Sequence, residues 1–338
     1  MKPVNIAGAG LAGLALGYAL QRADIPTTIH EAGTLPRHRV CGEFLCGRGA
    51  AALNALGLQG ALEGALEQKE VHWHLGDNTI LRAVLPSPAY GISRYPLDQR
   101  LADRYRELGG QLIERSRWTD RDAEGLVGCS GRQATKSEWI GLKLHCTNLQ
   151  TQADLELHLG ENGYLGMSGI ESDRVNVCGL FKRRPNLTTR RENWLPEYLR
   201  ACGLSRVAAR IEESSVDSDS HAGVAGVDFA QPPGSQPDRL SLGDAYSVMP
   251  PFTGNGMSVA LESAEIALPD LLAYARERQT WQTTITRIHQ QCGERFNSRL
   301  RSARRLHPWI TRPAGQRTLA TLCRLHLLPF QFLYNRTH

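Results

Sequence analysis

The residues with the most evident chemistry lie in one short stretch, R-V-C-G-E-F-L-C-G-R at positions 39–48. It holds two cysteines, Cys41 and Cys46, with Glu43 between them. Two thiols can exchange electrons as a disulfide when a nearby positive charge, such as Arg39, or a helix N-terminus depresses a thiol pKa. The alternatives are a loop in which Cys41 lies near an active centre and a purely structural loop. The ten residues alone do not decide between them.

A glycine-rich turn near the start of the chain indicates what this loop could serve. Val4–Ala7 predicts a strand, and the motif G-x-G-x-x-G follows at once from Gly8. A helical pattern and a second predicted strand, Thr27–His30, then lead to Glu31. Glycines here allow a tight turn, close approach of the backbone to a pyrophosphate, and helix–strand packing. The unit predicts a bound dinucleotide whose contacts are Gly8, Ala9, Gly10, Leu11, Ala12, Gly13, Glu31 and Ala32.

A second motif, far along the chain, indicates FAD rather than NAD. Residues 239–261 read R-L-S-L-G-D-A-Y-S-V-M-P-P-F-T-G-N-G-M-S-V-A-L, in which Leu240–Leu242 predicts a strand and the second glycine-rich turn opens a helix. This resembles the second flavin motif of FAD oxidoreductases related to p-hydroxybenzoate hydroxylase and geranylgeranyl reductase. In that family the aspartate holds the ribityl chain and the turn meets the flavin ring. The resemblance implies contacts from Gly243, Asp244, Pro251, Gly254, Asn255, Gly256 and Met257.

Two further segments look like parts of the same family. The segment S-R-Y-P-L-D at 93–98 is similar to its Arg-x-x-Leu segment, which implies that Arg94 reaches the FAD phosphates, a role that suits guanidinium geometry. The segment C-G-E-F-L at 41–45 looks closest to the bacterial geranylgeranyl-reductase-like members, in which Cys-Gly lies beside the flavin. The cofactor contacts implied by the loop are Arg39, Cys41 and Gly42, and its candidate catalytic residues are Cys41 and Glu43.

The expected fold is α/β, with a Rossmann-type FAD-binding domain, an antiparallel β-sheet substrate domain and a helical C-terminal segment. Six strands are predicted for the substrate domain, at Glu70–Leu75, Ile80–Val84, Trp139–Cys146, Asp154–Leu159, Gly163–Glu171 and Arg174–Phe181. The predicted FAD-binding domain is discontinuous and consists of residues 1–69, 93–135 and 220–275. The predicted substrate domain consists of residues 70–92 and 138–219, and the basic C-terminal segment of residues 276–338.

The resemblance implies an FAD-dependent oxidoreductase, first of all a monooxygenase-like enzyme for a small hydrophobic or aromatic substrate of specialised metabolism, with carrier-bound presentation as one option. The alternatives are a reductase or dehydrogenase of a C=C or C–N bond, a disulfide-type flavoprotein using Cys41 and Cys46, and a flavin-binding protein without turnover. The family's Ala-Asp-Gly motif is replaced by G-C-S-G-R at 128–132, and no second nucleotide motif is seen. NAD(P)H as a transient reductant and a separate electron donor therefore both stay open.

Composition and charge indicate the cellular compartment and the partners that the sequence allows. No run of about 18 apolar residues and no signal-peptide pattern is seen, so a cytoplasmic protein with eight reduced cysteines is expected. The net charge of +5 comes from Arg295–His338, which contains nine arginines and no lysine or acidic residue. This segment could contact an anionic membrane surface or an acidic carrier, or pack as helices with solvent-facing arginines. No nucleic-acid partner and no metal site are expected.

Overall fold

The structure, a computed structural model, describes residues 1–120, 122–133, 135–187, 190–230, 232–234 and 236–338. Every predicted site residue lies within these ranges. Six residues of the predicted domains lie outside them, namely Arg121, Ala134, Thr188, Thr189, Gln231 and Ser235.

Strands and helices alternate at the start of the chain, strands dominate its middle, and helices form its end. In chain order the strands are β1 (Val4–Ala7), β2 (Thr27–His30), β3 (Phe44–Leu45), β4 (Leu66–Leu75), β5 (Asn78–Gly91), β6 (Gln111–Ile113), β7 (Leu126–Gly128), β8 (Trp139–Thr147), β9 (Leu155–Gly160), β10 (Gly163–Ile170), β11 (Arg174–Lys182), β12 (Ser215–Val216) and β13 (Ala222–Ala225). The α-helices are α1 (Leu11–Arg22), α2 (Gly49–Ala55), α3 (Arg94–Glu107), α4 (Trp194–Ala201), α5 (Ser205–Glu213), α6 (Gly256–Ala275), α7 (Trp281–Thr311), α8 (Pro313–Arg324) and α9 (Phe330–Thr337).

A small parallel sheet has the order β6-β2-β1-β7. Its two central strands are paired from Val4 and Thr27 onward, and α1 between them packs against α3 and α6. Alternate side chains of these strands, such as Ile6 and Ile29, are fully buried under the helices. The predicted strand Leu240–Leu242 is reduced to one parallel bridge, between Ser241 and Gly128, the last residue of β7.

A second, larger sheet has the order β12-β8-β11-β10-β9-β4-β5-β3 in the described part of the chain, and β13 also pairs with β8. All six strands predicted for the substrate domain are present in it. Its pairs are antiparallel except for β4 and β9, which run parallel. The short strand β3 joins the edge of this sheet to the loop that contains Cys41 and Glu43. The α/β fold class predicted from the sequence is confirmed.

The C-terminal segment is a set of helices packed on the rest of the chain. Arg299 of α7 donates a hydrogen bond of 2.7 Å to the buried Glu262 of α6. The end of α9 is attached to the second glycine-rich turn, because the carbonyl oxygen of Thr337 accepts a hydrogen bond from the Asn255 side chain. Other apolar side chains stay exposed beside solvent-facing arginines, among them Leu325 and Leu327. Within the described ranges, no helix combines the length and the apolar character needed to cross a bilayer.

Candidate functional site

The first glycine-rich turn combines two tightly packed glycines with one open glycine. Gly8 has a φ of +115°, and a Cβ there would lie 2.4 Å from the carbonyl oxygen of Cys129. A Cβ at Gly13 would lie 2.1 Å from the carbonyl oxygen of Gly8. At Gly10, by contrast, the nearest atom would be the same Cys129 oxygen, at 4.0 Å. The backbone at the N-terminus of α1 is therefore open at Gly10, where a helix end attracts anions.

The remaining contacts predicted for this turn are arranged around the carboxylate of Glu31. Ala9, Leu11 and Ala12 are buried, whereas Ala32 is exposed. The buried Glu31 accepts hydrogen bonds of 2.9 Å from the backbone amides of Ala9 and Gly33, and one of 2.8 Å from Arg37. Burial alone would raise the pKa of Glu31, but these amides, Arg37 and Arg39 lower it below its ordinary value. An ionised acceptor thus lies at the end of β2, where a ribose was expected.

Arg94 and Arg39 share one buried partner, Asp98, which the sequence analysis missed. Arg94 donates two hydrogen bonds, of 2.7 and 2.8 Å, to the Asp98 carboxylate. Arg39 donates one of 3.1 Å to Asp98 and another of 3.2 Å to the carbonyl oxygen of Ala9. Because i,i+4 residues share a helix face, the spacing of Arg94 and Asp98 in α3 was the available signal. Contact of either arginine with a phosphate stays a prediction.

The second motif packs on the first, and the side on which the backbone is open at Gly10 and Gly256 is called the recess below. Gly243, with a φ of +58°, would place a Cβ 3.5 Å from that of Ala12, so the two motifs pack directly together. The side chain of Asp244 reaches solvent, yet the desolvating protein atoms around it raise its pKa. Solvent contact combined with desolvation indicates a recessed position. The positive charges that act on Asp244 come from Arg132 and Arg94.

The recess includes Arg132, which the sequence analysis noted only as part of a departure from the family motif. Its guanidinium donates hydrogen bonds of 3.2 and 3.1 Å to the carbonyl oxygens of Ala225 and Gly226. A cation therefore lies in the segment that stands in place of the Ala-Asp-Gly motif of the family that the sequence resembles. Arg132, Arg94 and Asp244 bring both signs of charge to the same recess.

The loop at 39–48 packs on the second glycine-rich turn. Gly254 has a φ of +70°, and its carbonyl oxygen accepts a hydrogen bond from the Cys46 thiol at 3.3 Å. The hydroxyl of Ser258 donates a short hydrogen bond to the carbonyl oxygen of Cys46. At Gly256 and Gly42 a Cβ would meet no atom within 4 Å, so both positions face open space. Of the other cofactor contacts predicted in the second glycine-rich turn, Asn255 and Met257 are buried and Pro251 is exposed.

The two cysteines of the loop have different surroundings and are both free thiols. Cys41 accepts a hydrogen bond of 3.3 Å from the amide of Glu43 and lies beside Arg94. Burial raises the pKa of Cys41, and it raises that of Cys46 to about 12. A disulfide-exchange cysteine needs the opposite shift. The partly exposed thiol near Cys41 is Cys178 of β11 rather than Cys46.

Glu43 lies beneath the loop in a fully buried charge cluster. Its carboxylate accepts hydrogen bonds from the backbone amide of Arg94 at 2.9 Å and from the Ser93 hydroxyl at 3.2 Å. It also lies 2.6 Å from the ring nitrogen of His145 and 3.4 Å from the ammonium of Lys143. Burial would raise the pKa of Glu43, but His145 and Lys143 hold it below its ordinary value.

This cluster shows how Glu43 is held in the fold, and the catalytic role of Glu43 stays a prediction. Glu43 is 0% exposed and has a φ of +51°, a conformation that is unfavourable for a residue other than glycine. Its hydrogen bonds therefore hold the Cys41–Gly42 corner in a strained shape. Lys143 and His145 were missed, although polar residues at alternate positions of an apolar strand were a usable signal.

An aromatic cluster joins the inner face of the larger sheet to the second glycine-rich turn. The ring of His307 lies 5.0 Å from that of Trp139 and 4.4 Å from that of Phe229. The ring of Tyr164 lies 6.4 Å from that of Phe252, which belongs to the turn. Nε2 of His307 and the hydroxyl of Tyr164 are buried without a hydrogen-bond partner, although that hydroxyl lies close to the backbone of Phe252.

Two positions of the sheet next to this cluster are only partly covered by other residues. Gly166 and Cys178 are paired across β10 and β11, on the face that also carries Tyr164, and both are only half-buried. A Cβ at Gly166 would have its nearest neighbour at 3.7 Å, the carbonyl oxygen of Cys178. This face of the sheet thus carries aromatic rings and two half-buried positions close to the buried hydroxyl of Tyr164 and Nε2 of His307.

A different depression, of about 550 Å³, lies between α7 and the loop before Tyr246. It is wide open to solvent, and polar residues of α7, including Gln290 and Asn297, form much of its wall. Because apolar ligands bind in enclosed, mostly apolar sites, the aromatic cluster is the better candidate for a hydrophobic substrate.

Solved structures of known proteins share this fold over nearly the whole chain. PqsL of Pseudomonas aeruginosa, in complex with 2-aminobenzoylacetate, is 16% identical with a TM-score of 0.72, over 95% of this chain and 98% of that one. HpxO of Klebsiella pneumoniae, complexed with FAD and uric acid, is 16% identical with a TM-score of 0.73, over 99% and 95%. A geranylgeranyl bacteriochlorophyll reductase-like protein of Thermoplasma acidophilum is 16% identical with a TM-score of 0.74, over 96% and 91%. No protein-family model and no curated protein sequence matches the chain.

Proposed function

We propose that this chain binds FAD and oxygenates a small aromatic substrate. The observation that supports this most strongly is the recess in which Gly10, Asp244 and Gly256 face open space or solvent from two directly packed motifs. Solved proteins with the same fold include PqsL, described in another structure as a probable FAD-dependent monooxygenase, and HpxO, which was complexed with FAD. The shared fold and the open backbone in the recess both support FAD as the cofactor.

The residues present suit each part of FAD. The open helix end at Gly10 and the guanidinium of Arg94 fit the pyrophosphate, and the ionised Glu31 fits the adenosine ribose. Asp244 fits the ribityl hydroxyls, and the backbone at Gly256 fits the ring. When bound and reduced, FAD would supply two electrons and the ability to activate O₂. The chain's own residues orient the substrate and limit the access of water.

We also propose a modified version of the domain division. The FAD-binding part consists of residues 1–65, 93–135 and 226–275, because β4 begins at Leu66 and β13 pairs with β8 of the larger sheet. The substrate part consists of residues 66–92 and 138–225, and the helical segment 276–338 packs on both. In this division the strand β3 and the Cys41 loop bridge the two parts.

The aromatic cluster is our proposed substrate site. PqsL was solved with 2-aminobenzoylacetate and HpxO with uric acid, both of them flat ring compounds with polar substituents. In this chain Tyr164, Phe252 and His307 would contact a ring of that kind, and the Tyr164 hydroxyl and His307 Nε2 would bond its polar groups. Burial lowers the pKa of His307 to about 4, so its imidazole is neutral at pH 7 and can accept a hydrogen bond.

Tyr164→Phe is expected to weaken binding of aminobenzoates and hydroxybenzoates about fivefold, because one hydrogen bond contributes about 1 kcal/mol. Its melting temperature should stay close to that of the wild type, since the hydroxyl makes at most a weak contact with the backbone of Phe252. Binding is followed through the change in flavin absorbance. Tyr246→Phe, at a buried tyrosine outside the cluster, is the matched control. Equal affinities in wild type and Tyr164→Phe across the panel would place the substrate elsewhere.

The central test asks whether the purified protein contains FAD and what reduces it. Purified protein is expected to be yellow and to release one FAD per chain on denaturation, as measured by chromatography of the extract. Anaerobic NADH or NADPH is then added: bleaching identifies a direct reductant, and its absence in a protein that dithionite bleaches indicates a separate electron donor. A colourless protein that takes up no FAD would contradict the proposal.

The reaction type has a second candidate, because one of the solved structures is reductase-like. Labelled O₂ distinguishes the two: a monooxygenase incorporates one labelled oxygen atom into an aromatic product, whereas a reductase or dehydrogenase turns over without O₂. Carrier-bound presentation of the substrate, and contact of the arginine-rich C-terminal helices with an anionic membrane, stay predictions.

A further inference from the structure

A histidine-rich cluster lies on the face of the larger sheet opposite the aromatic cluster. Strands β4 and β9 run parallel there, with His74 paired to His158 and His72 paired to Glu156. Side chains two positions apart share a face of a strand, and directly paired residues share the same face. All four side chains are therefore on one face, and none of them takes part in the proposed flavin chemistry.

The cluster has the composition and burial of a metal site. One ligand atom from each of His74, Glu156 and His158 lies within 4.8 Å of the others, in the one such group among the described residues. These three side chains are at most 4% exposed. Nε2 of His74 and Nδ1 of His158 are buried and have no hydrogen-bond partner. Because buried polar atoms are nearly always paired, two unpaired imidazole nitrogens in one place indicate a missing partner.

The surroundings already orient these ligands. Nδ1 of His74 lies 3.2 Å from the Thr79 hydroxyl, which leaves Nε2 directed away from that contact. Nε2 of His158 lies 2.7 Å from the Glu156 carboxylate. Metal-binding histidines commonly use their second nitrogen in a contact like that of His74 with Thr79, which fixes the tautomer of the ring. His158 and Glu156 would instead exchange their mutual contact for the ion.

We propose that His74, Glu156 and His158 form a structural Zn²⁺ site that stabilises the parallel junction of β4 and β9. Two imidazoles and a carboxylate are a ligand set that suits zinc, and water would complete the tetrahedron. The imidazole rings are stacked at 4.5 Å with an angle of 13° between their planes. One ion cannot lie in both of these planes, so one ring must turn about its Cβ–Cγ bond when zinc binds.

Arg210 of α5 competes with the ion for Glu156. Its guanidinium lies 3.2 Å from the carboxylate and also donates to the carbonyl oxygen of Gln150. A cation bound to a ligand oxygen opposes a second cation at that oxygen. Zinc binding should therefore displace Arg210, and removing this guanidinium should strengthen the binding of zinc.

The test uses untagged, full-length protein and ZnCl₂ as the probe. Elemental analysis of protein purified without chelators is expected to give about one zinc per chain. Removal of zinc with a chelator should lower the melting temperature, and ZnCl₂, but not MgCl₂, should restore it. Zinc below trace level, together with no effect of added ZnCl₂ on the melting temperature, would overturn the proposal.

Variants then locate the site by calorimetric titration. His74→Asn and His158→Asn are each expected to weaken zinc binding more than about 100-fold, since even the loss of a supporting partner costs about 10- to 100-fold. His326→Asn, at an exposed histidine, is the control and should bind zinc like the wild type. Wild-type affinity in both His74→Asn and His158→Asn would assign the zinc to a surface site and overturn the proposal.

Arg210→Met provides a measurement that does not depend on how the histidine variants fold. Its long apolar side chain keeps the packing of α5 and removes the competing charge. Zinc affinity should rise about fivefold, because the ion no longer has to displace an ion pair that contributes about 1 kcal/mol. Unchanged or weaker zinc binding in Arg210→Met would contradict the assigned ligand Glu156.

Discussion

Gly10→Val is expected to abolish FAD binding and to leave the folded protein almost as stable as the wild type. In the structure a Cβ at this position meets no atom closer than 4.0 Å, so the side chain fits the protein when FAD is absent. Its φ of −92° is also accessible to valine. The added methyl groups would instead occupy the space in front of the α1 N-terminus, where the pyrophosphate must approach the backbone.

The measurement compares two quantities on the same apoprotein. Fluorescence titration with FAD should show an affinity lower by at least about 100-fold, or about 2.7 kcal/mol, while the melting temperature of the apoprotein stays unchanged. Ala51→Val, on the exposed surface of α2, controls for the added volume. Gly13→Ala should behave differently and lower stability as well, because its Cβ would lie 2.1 Å from a backbone oxygen. Normal FAD binding by Gly10→Val would show that the recess holds something else.

The features that the sequence predicted well are those determined by neighbouring residues. The strand–turn–helix unit around Gly8 and the antiparallel strands of the larger sheet have local patterns, and each was found close to its predicted bounds. A strand such as Leu240–Leu242 depends on its partner, and only Ser241 of that segment is paired with β7. Local propensity gives no information about the length of a distant partner strand.

The candidate site was only partly predictable for the same reason. The glycines, Glu31 and Asp244 belong to motifs with fixed spacing. The aromatic cluster combines Tyr164, Phe252 and His307, which are far apart in the chain and meet only in the folded protein. The thiol pKa values also depend on burial, so the charge of Arg39 in the sequence suggested a direction opposite to the one that the structure gives.

Glu43→Ala is expected to destabilise the protein by about 3–5 kcal/mol, since it leaves the ammonium of Lys143 buried without its carboxylate. It also removes the acceptor of the Arg94 amide and the Ser93 hydroxyl, which hold the loop in its left-handed conformation. Urea unfolding at pH 7 measures the loss. Glu67→Ala, at an exposed Glu67–Lys69 ion pair, is the control and should leave the free energy of unfolding almost unchanged.

The pH dependence of stability provides a second measurement. The pKa of Glu43 is lowered by folding, so its contribution is complete above the unfolded value of about 4.3 and is lost as the pH falls through the lower folded value. Wild type and Glu43→Ala should therefore converge in stability at acidic pH. A constant difference down to low pH would contradict the ionised state inferred for Glu43.

A double variant can separate the effect of the two buried charges from the effect of the loop conformation. Glu43→Gln with Lys143→Met removes both charges and keeps an oxygen that can accept the Arg94 amide, so it should recover much of the stability lost in Glu43→Ala. If Glu43 acts only by positioning the loop, the double variant should also keep FAD affinity and the flavin absorbance spectrum. Restored stability with an altered flavin spectrum would instead mean that the buried charge itself acts on the cofactor through its electric field.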